Sequence, residues 1–160
     1  MKRAFATACL IALAGCAAVS PTQVSTAEAT REAKIAFDIT NGNPVVVNKT
    51  LETIEVTRKQ LIDQGITPHI VVTFRGDASF FTQDSLAVVK EADRAEALAV
   101  KARIREMRKS GEVESFEQCN IPLGPRKLNP KELMSEVKLV PNGWIALVNY
   151  QQKGYAYIVP

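Results

Sequence analysis

The pattern of apolar and polar residues predicts two strands in the first half of the chain. Residues 34–40 alternate, with Ile35, Phe37 and Ile39 on one side and small or polar residues between most of them. Residues 68–74 instead form a nearly continuous apolar run with several β-branched members. Such a run is typical of a strand that is covered on both faces of a sheet.

Three further strands are predicted in the second half of the chain, at residues 113–119, 137–140 and 155–159. Clusters of glycine, proline and asparagine interrupt the sequence between them, as expected of turns and loops. The segment 121–128 contains two prolines and one glycine and is predicted to be a loop.

Apolar residues at helical spacing predict helices between these strands. The first helix is predicted over residues 45–64. Its apolar residues near one face are Val47, Leu51, Ile54, Leu61 and Ile62. Residues 78–109 are predicted to be helical with a loop or break near 81–85, and short helices are predicted at 129–135 and 144–152.

The helical stretch 86–109 is predicted to bury one stripe of apolar residues. The members of that stripe are Ala95, Leu98, Ala99, Ala102 and Met107. The basic residues placed mostly on the solvated side are Lys101, Arg105, Arg108 and Lys109. Acidic residues are interleaved with them, so this face is not predicted to bind nucleic acid. The alternation of strands and helices predicts an α/β domain, with a mostly parallel sheet and helices on both faces.

The N-terminal segment has the organisation of a bacterial export signal. Lys2 and Arg3 precede an uncharged run at residues 4–14, which is too short to cross a bilayer. The run ends in L-A-G-C, which resembles a lipobox, so residues 1–15 are predicted to be a signal peptide and Cys16 to be lipidated. The alternative is an ordinary signal peptide that is cleaved nearby, for instance after Ala18. The lipobox interpretation predicts a periplasm-facing lipoprotein, with delivery to the outer membrane favoured.

Two organisational predictions follow from that signal. Residues 16–33 are rich in alanine, serine and threonine and are predicted to be a flexible tether, with the folded domain at 34–160. Loss of residues 1–15 would leave 18 basic and 17 acidic residues. A chain so close to neutrality has no general electrostatic attraction to DNA or RNA, and no nucleic-acid partner is predicted.

Cys119 is the only cysteine within the predicted domain, at the end of the third predicted strand. In a parallel sheet, ligands bind beyond the carboxyl ends of the strands. The other polar residues predicted at that edge, as substrate-binding candidates, are Asn41, Arg75, Asn120 and Asn142. An arginine or a helix N-terminus beside a cysteine favours the nucleophilic thiolate. The alternative is that Cys119 is only a packing residue, since free cysteine is often buried.

Other kinds of site are not supported by the sequence. His69 is predicted at the opposite edge of the sheet from Cys119, as an exposed or capping residue. One histidine and one domain cysteine cannot supply a closed metal site, so no metal is predicted. The segment 41–43 lacks the glycines and lysine of a phosphate loop, and no cofactor is predicted. The aromatic residues expected to anchor the C-terminal helix and strand, or in part to form an oligomer contact, are Trp144, Tyr150, Tyr155 and Tyr157.

From residue 34 to residue 160 the chain resembles the DsrE/DsrF-like family of sulfur-relay proteins. The segments that carry the resemblance are K-I-A-F-D-I, V-V-T-F-R-G, the strand leading to Cys119, V-P-N-G-W and the ending Y-Q-Q-K-G-Y-A-Y-I-V-P. The resemblance implies a flavodoxin-like α/β/α fold with a five-stranded sheet and a trimeric or hexameric assembly. It also implies that Cys119 carries a persulfide and exchanges sulfur with a donor or acceptor protein.

Two functional classes are therefore expected. One is a sulfane-sulfur carrier or sulfurtransferase-like protein that uses Cys119. The other is a non-catalytic oligomeric binding or interaction module in which Cys119 is only structural. Family members with a defined role work in the cytoplasm with dedicated partners, whereas predicted export would separate this chain from such partners.

Overall fold

A computed structural model describes residues 31–160 of the chain. The predicted signal peptide, the lipidation site at Cys16 and nearly all of the tether lie outside the described residues. Five parallel strands form one sheet in the order β4-β3-β2-β1-β5. Their bounds are β1 Arg31–Ile39, β2 Ile66–Phe74, β3 Ser115–Cys119, β4 Val137–Val140 and β5 Ala156–Ile158.

Three α-helices connect the strands, and they lie on both faces of the sheet. Their bounds are α1 Pro44–Asp63, α2 Arg94–Lys109 and α3 Gly143–Gln152. Helices α1 and α2 pack on one face over the larger core, where Phe74, Phe116 and Ile104 are almost fully buried. Helix α3 covers the other face through Leu147 and Tyr150. The predicted three-layer fold with a five-stranded parallel sheet is confirmed.

The region between β2 and α2 is less helical than predicted. Short 3-10 helices form at Gly76–Thr82 and Glu91–Asp93, and the segment between them is not helical. The reason is a competing backbone contact: Asp84 N donates to Glu132 O at 2.6 Å, and Met134 N donates to Thr82 O at 2.9 Å. This pairing draws the chain away from helical geometry. It also limits the helix predicted at 129–135 to a 3-10 turn, Pro130–Glu132.

The predicted buried stripe of α2 was wrong in all but Met107. The residues of α2 that are buried are Ala97, Val100, Lys101, Ile104 and Met107. Leu98 is half exposed, whereas Lys101 is buried and donates from Nζ to the Asp84 carbonyl oxygen at 2.6 Å. Burial lowers the pKa of Lys101. In α1, Val47, Leu51 and Ile54 are buried as predicted, whereas Ile62 is exposed.

Within residues 31–160, no helix combines the length and the apolar composition that crossing a bilayer would require.

Candidate functional site

Cys119 is the last residue of β3 and faces the N-terminus of α3. Its side chain is buried, with 3% of the residue exposed. The backbone N–H of Gly143 donates a hydrogen bond to Cys119 Sγ at 3.1 Å. Because the first N–H groups of a helix carry partial positive charge, the sulfur faces an electropositive group.

The start of α3 is fixed by local sequence. Asn142 is the N-cap, and its Oδ1 accepts a hydrogen bond from Trp144 N at 2.9 Å. Gly143 follows as the first helical residue. A Cβ atom at Gly143 would lie 2.7 Å from Arg75 Cδ and 3.0 Å from Cys119 Cβ. Only the absence of a side chain therefore lets the helix N-terminus reach the sulfur.

Arg75 is held beside the thiol by a buried carboxylate. Its Nε donates to Asp38 Oδ1 at 2.8 Å, and its Nη2 donates to Asp38 Oδ2. The hydroxyl of Tyr157 in β5 donates to the same Oδ2 at 2.7 Å. The hydrogen bonds to Asp38 raise the pKa of Arg75, against the opposing effect of burial, and burial with the Asp38 contact raises the pKa of Tyr157.

Cys119 lines a cavity of about 210 Å³ beyond the carboxyl end of the sheet. Two arginines, Arg75 and Arg126, also line it. Arg126 donates from Nε to Asp77 Oδ1 at 2.8 Å, so both arginines are paired with an aspartate. The apolar and amide lining residues are Ile121, Pro122, Pro125, Asn142 and Trp144. The cavity therefore offers a thiol, hydrogen-bond donors and an apolar wall to a small ligand.

The structure brings some of the sequence-predicted site residues together and separates others. Arg75 and Asn142 line the cavity with Cys119. Asn120 follows Cys119 but is exposed, and its backbone N–H donates to Val140 O. Asn41 is also exposed and uses its Oδ1 to accept from Asn43 N at 2.8 Å. The turn that contains Asn41 lies beside a different cavity, of about 450 Å³.

Several residues of the site were not found from the sequence. Asp38 is an acidic residue inside a buried strand, and that position signals a required cationic partner. Gln118 is fully buried and donates from Nε2 to the Cys119 carbonyl oxygen at 2.7 Å, which fixes the end of β3. Arg126 and Trp144 reach the cavity from a loop and from α3. No sequence spacing indicates those two positions.

Three of the four predicted aromatic anchors, Tyr150, Tyr155 and Tyr157, hold α3 and the C-terminal strand, as expected. The Tyr150 hydroxyl donates to Glu117 Oε1 at 2.8 Å, and its ring packs edge-on against Tyr155 with centroids 5.0 Å apart. Burial and the hydrogen bond to Glu117 raise the pKa of Tyr150. Trp144 is instead exposed, with the Arg75 guanidinium carbon 5.3 Å from its ring centroid. That distance permits a cation–π contact at the cavity.

His69 lies near the amino-terminal end of the sheet, far from Cys119. It is partly buried rather than exposed, and its Nδ1 shares a hydrogen bond of 2.5 Å with Glu114 Oε1. The Tyr155 hydroxyl donates to the other Glu114 oxygen at 3.0 Å. In the part of the chain that the structure describes, no group of three or more potential metal ligands comes together.

Comparisons with known proteins identify the family. An uncharacterized protein of Aquifex aeolicus (strain VF5) is 25% identical over 125 residues, which are 78% of this chain. The chain spans 55% of the length of that relative. The solved structure of MTH1491, a protein of unknown function from Methanobacterium thermoautotrophicum, superposes with a TM-score of 0.55 at 18% identity. The superposition covers 81% of this chain and 99% of the MTH1491 chain, and it supports the fold alone. The DsrE/DsrF-like family profile matches residues 19–160, so the chain belongs to the DsrE/DsrF-like family.

Proposed function

We propose that the protein is a sulfane-sulfur carrier that uses Cys119. Its catalytic activity would be at most sulfurtransferase-like. The observation that carries the proposal is the hydrogen bond of 3.1 Å from Gly143 N–H to Cys119 Sγ, at a cavity that two arginines line. A buried packing cysteine needs neither a helix N-terminus nor guanidinium groups. A sulfur nucleophile benefits from both, because both stabilise the thiolate and a persulfide anion.

The transfer would begin with attack of the Cys119 thiolate on the outer sulfur of a thiosulfonate anion. A bond forms between Sγ and that sulfur, the bond to the sulfonyl sulfur breaks, and a sulfinate leaves with the electron pair. The proton of the original thiol goes to water, and Cys119 becomes a persulfide anion without a further oxidant. An acceptor thiolate then attacks the terminal sulfur, takes it and releases the Cys119 thiolate.

The cavity suits the anionic reactants of this step. Thiolate and thiosulfonate repel one another, and nearby cationic donors reduce that repulsion. Arg75 and Arg126 are paired with Asp38 and Asp77, so their effect is local and directional rather than a net positive field. Since only 3% of Cys119 is exposed, a donor must enter through the cavity, which favours small or narrow sulfur compounds and extended protein segments.

Mass spectrometry of the folded domain tests the carrier. Cys119 is the only cysteine in residues 31–160, so each added sulfur atom can be assigned. After exposure to a thiosulfonate, we expect the wild type to gain sulfur on Cys119 and the Cys119→Ser variant to gain none. Alkylation of the native thiol should also proceed at a measurable rate.

The unfolded domain provides the reference for that experiment. Loading and alkylation that occur only after denaturation would contradict the carrier. They would support the alternative class, a binding module in which Cys119 is structural. The two classes differ only in the native reactivity of this thiol, so one preparation distinguishes them.

We also propose that the protein forms a homo-oligomer, a trimer or hexamer, through the exposed side of α3. Trp144, Ile145 and Val148 are exposed on this helix, and an apolar surface of this kind commonly marks a contact. We expect Val148→Glu to lower the mass measured by sedimentation at micromolar concentration while the domain stays folded.

Val56→Glu is the matched control for the oligomer, because Val56 is equally exposed but lies on α1. It should leave the sedimentation unchanged. A wild-type domain that sediments only as a monomer would contradict the assembly.

The location proposal concerns Cys16, which we infer is lipidated and anchors the chain to a membrane that faces the periplasm. We expect the wild type to partition into detergent, and the Cys16→Ser variant to be exported but to stay in the aqueous phase. Cys9→Ser, within the predicted signal, should partition like the wild type. Equal partitioning of the wild type and Cys16→Ser would refute lipidation.

A further inference from the structure

The wall of the Cys119 cavity is mostly apolar, although two arginines belong to it. Its apolar members are Ile121, Pro122, Pro125 and Trp144. Ile121 is 58% exposed and Trp144 is 65% exposed, so two large apolar residues are open to solvent beside one small cavity. Apolar surface that is concentrated at a cavity is typical of a site for a ligand with an apolar part.

The arginines of the wall do not make the cavity a site for small inorganic dianions. Arg75 is bonded to Asp38 and Arg126 is bonded to Asp77, so the two pairs together have no net charge. A dianion such as thiosulfate would lose strong hydration here without meeting an unpaired positive charge. A singly charged donor with an organic group loses less hydration and gains apolar contact with the wall.

The buried position of Cys119 determines where a small donor must lie during sulfur transfer. Only 3% of the residue is exposed, and the Gly143 N–H contacts Sγ at 3.1 Å from the N-terminus of α3. The thiolate attacks the outer sulfur in line with the bond that breaks, so the leaving group lies on the far side of that sulfur. The open side of Cys119 is the cavity, and the leaving group is therefore placed against the cavity wall.

The cavity is large enough for an aromatic ring. A dry apolar cavity of about 150 Å³ can hold a benzene molecule. The Cys119 cavity has a volume of about 210 Å³, so a phenyl group fits with room for a sulfonyl group. A methyl group would leave most of the apolar wall in contact with water. Because the free energy gained grows with the apolar area removed from water, the larger group binds more strongly.

We propose that the sulfur donor of Cys119 carries an apolar organic group of about phenyl size, as an aromatic thiosulfonate does. This inference rests on the proposed function, because it names the class of donor that the same thiol uses. The Cys119 thiolate forms a bond to the outer sulfur, and the bond between that sulfur and the sulfonyl sulfur breaks. The aromatic sulfinate leaves with the electron pair, and the thiol proton goes to water. The ring lies against the apolar part of the wall, to which Ile121 belongs.

Loading rates of the full chain with benzenethiosulfonate and methanethiosulfonate test the donor class. The persulfide is trapped by alkylation, and the peptide that contains Cys119 is quantified by mass spectrometry after digestion. Each rate constant is divided by that of N-acetylcysteine with the same donor, which removes the intrinsic reactivity of the two compounds. We expect the corrected rate constant to be about tenfold higher for benzenethiosulfonate. A ratio near one would overturn the proposal.

Ile121→Ser tests the wall of the cavity, and Ile62→Ser is its matched control. Both isoleucines are exposed, but Ile62 lies in the last turn of α1 and outside the cavity. Ile121→Ser should lower the preference for benzenethiosulfonate from about tenfold to about threefold, because part of the apolar contact is lost. Ile62→Ser should leave the preference unchanged. An equal preference in the two variants would overturn the proposal.

A binding measurement separates failure of this inference from failure of the carrier. Benzenesulfinate, the leaving group, has no sulfur to transfer. In calorimetric titration it should bind the full chain about tenfold more tightly than methanesulfinate does. That preference without loading by either donor would contradict the carrier and support the ligand class. Loading at equal corrected rates, with equal binding of the two sulfinates, would support the carrier and overturn this inference.

Discussion

Replacement of Asp38 by alanine is expected to destabilise the domain by about 3 kcal/mol. Asp38 is 1% exposed and accepts two hydrogen bonds from Arg75 and one from Tyr157. Removal of one partner leaves the other charge without compensation, which is the costly way to break a buried ion pair. Because the Arg75 side chain is still 18% exposed, water partly compensates its charge. The expected loss therefore lies at the lower end of the cost of breaking a buried ion pair.

Urea denaturation followed by circular dichroism measures this loss, and Asp77→Ala is its matched control. Asp77 also pairs with an arginine of the cavity, but its side chain is 58% exposed. That variant should lose at most about 1 kcal/mol. Asp38→Ala should also slow sulfur loading, because Arg75 is no longer held beside Cys119. Equal stability of the two variants would show that the buried pair does not contribute as described.

Replacement of Gly143 by alanine is expected to cost about 2 kcal/mol and to slow the reaction of Cys119 with a thiosulfonate. The new Cβ would lie 2.7 Å from Arg75 Cδ and 3.0 Å from Cys119 Cβ. Arg75 is fixed at its far end by Asp38, and Cys119 belongs to a strand, so α3 must move away. Its movement lengthens the hydrogen bond from residue 143 to Sγ. The better helix propensity of alanine offsets at most about 1 kcal/mol.

Gly124→Ala is the control for this substitution. A Cβ at Gly124 meets nothing within 4 Å, and neither Gly124 nor Gly143 has a positive φ. The control should change the free energy of unfolding by less than about 0.5 kcal/mol and leave loading unchanged. A Gly143→Ala variant that loads sulfur at the wild-type rate would show that the contact between the helix N-terminus and the thiol has no role in reactivity.

The sheet could be predicted from the sequence because each strand carries its own signal. Residues 68–74 are apolar on both faces, and β2 is the central strand of the sheet. Strand β1 begins at Arg31 rather than at residue 34. Its three additional residues pair with β2 from Ile66 onwards, and they show no apolar alternation of their own. Pairing with a neighbouring strand is a tertiary effect that no local pattern reports.

The buried side of α2 could not be predicted for a related reason. Lys101 has a long apolar stem and a charged end, and hydrophobic spacing treats it as polar. Its Nζ reaches the Asp84 carbonyl oxygen of a segment that itself pairs with the chain near Glu132. The phase of the helix therefore depends on a loop contact. Leu98, which the spacing placed inside, is left half exposed.

The candidate site was predictable where topology alone decides position. Cys119, Arg75 and Asn142 each follow or end a parallel strand, and the structure places them at one cavity. Asn41 and Asn120 also follow a parallel strand, but their side chains are exposed and lie away from this cavity. A position at the end of a strand fixes the edge of the sheet at which a residue lies, but it does not fix the direction of the side chain. Asp38 and Arg126 depend on side-chain direction and loop path.

The hydrogen bond from Tyr157 to Asp38 joins residues 119 positions apart in the chain. During synthesis the first strand emerges long before the fifth, and β5 pairs directly with β1. Asp38 therefore lacks the hydrogen bond from Tyr157 until β5 has been synthesised and has paired with β1. The set of contacts that holds Arg75 beside Cys119 is complete only after that pairing. A chain interrupted before residue 157 would have this carboxylate incompletely bonded, which favours its recognition by proteases.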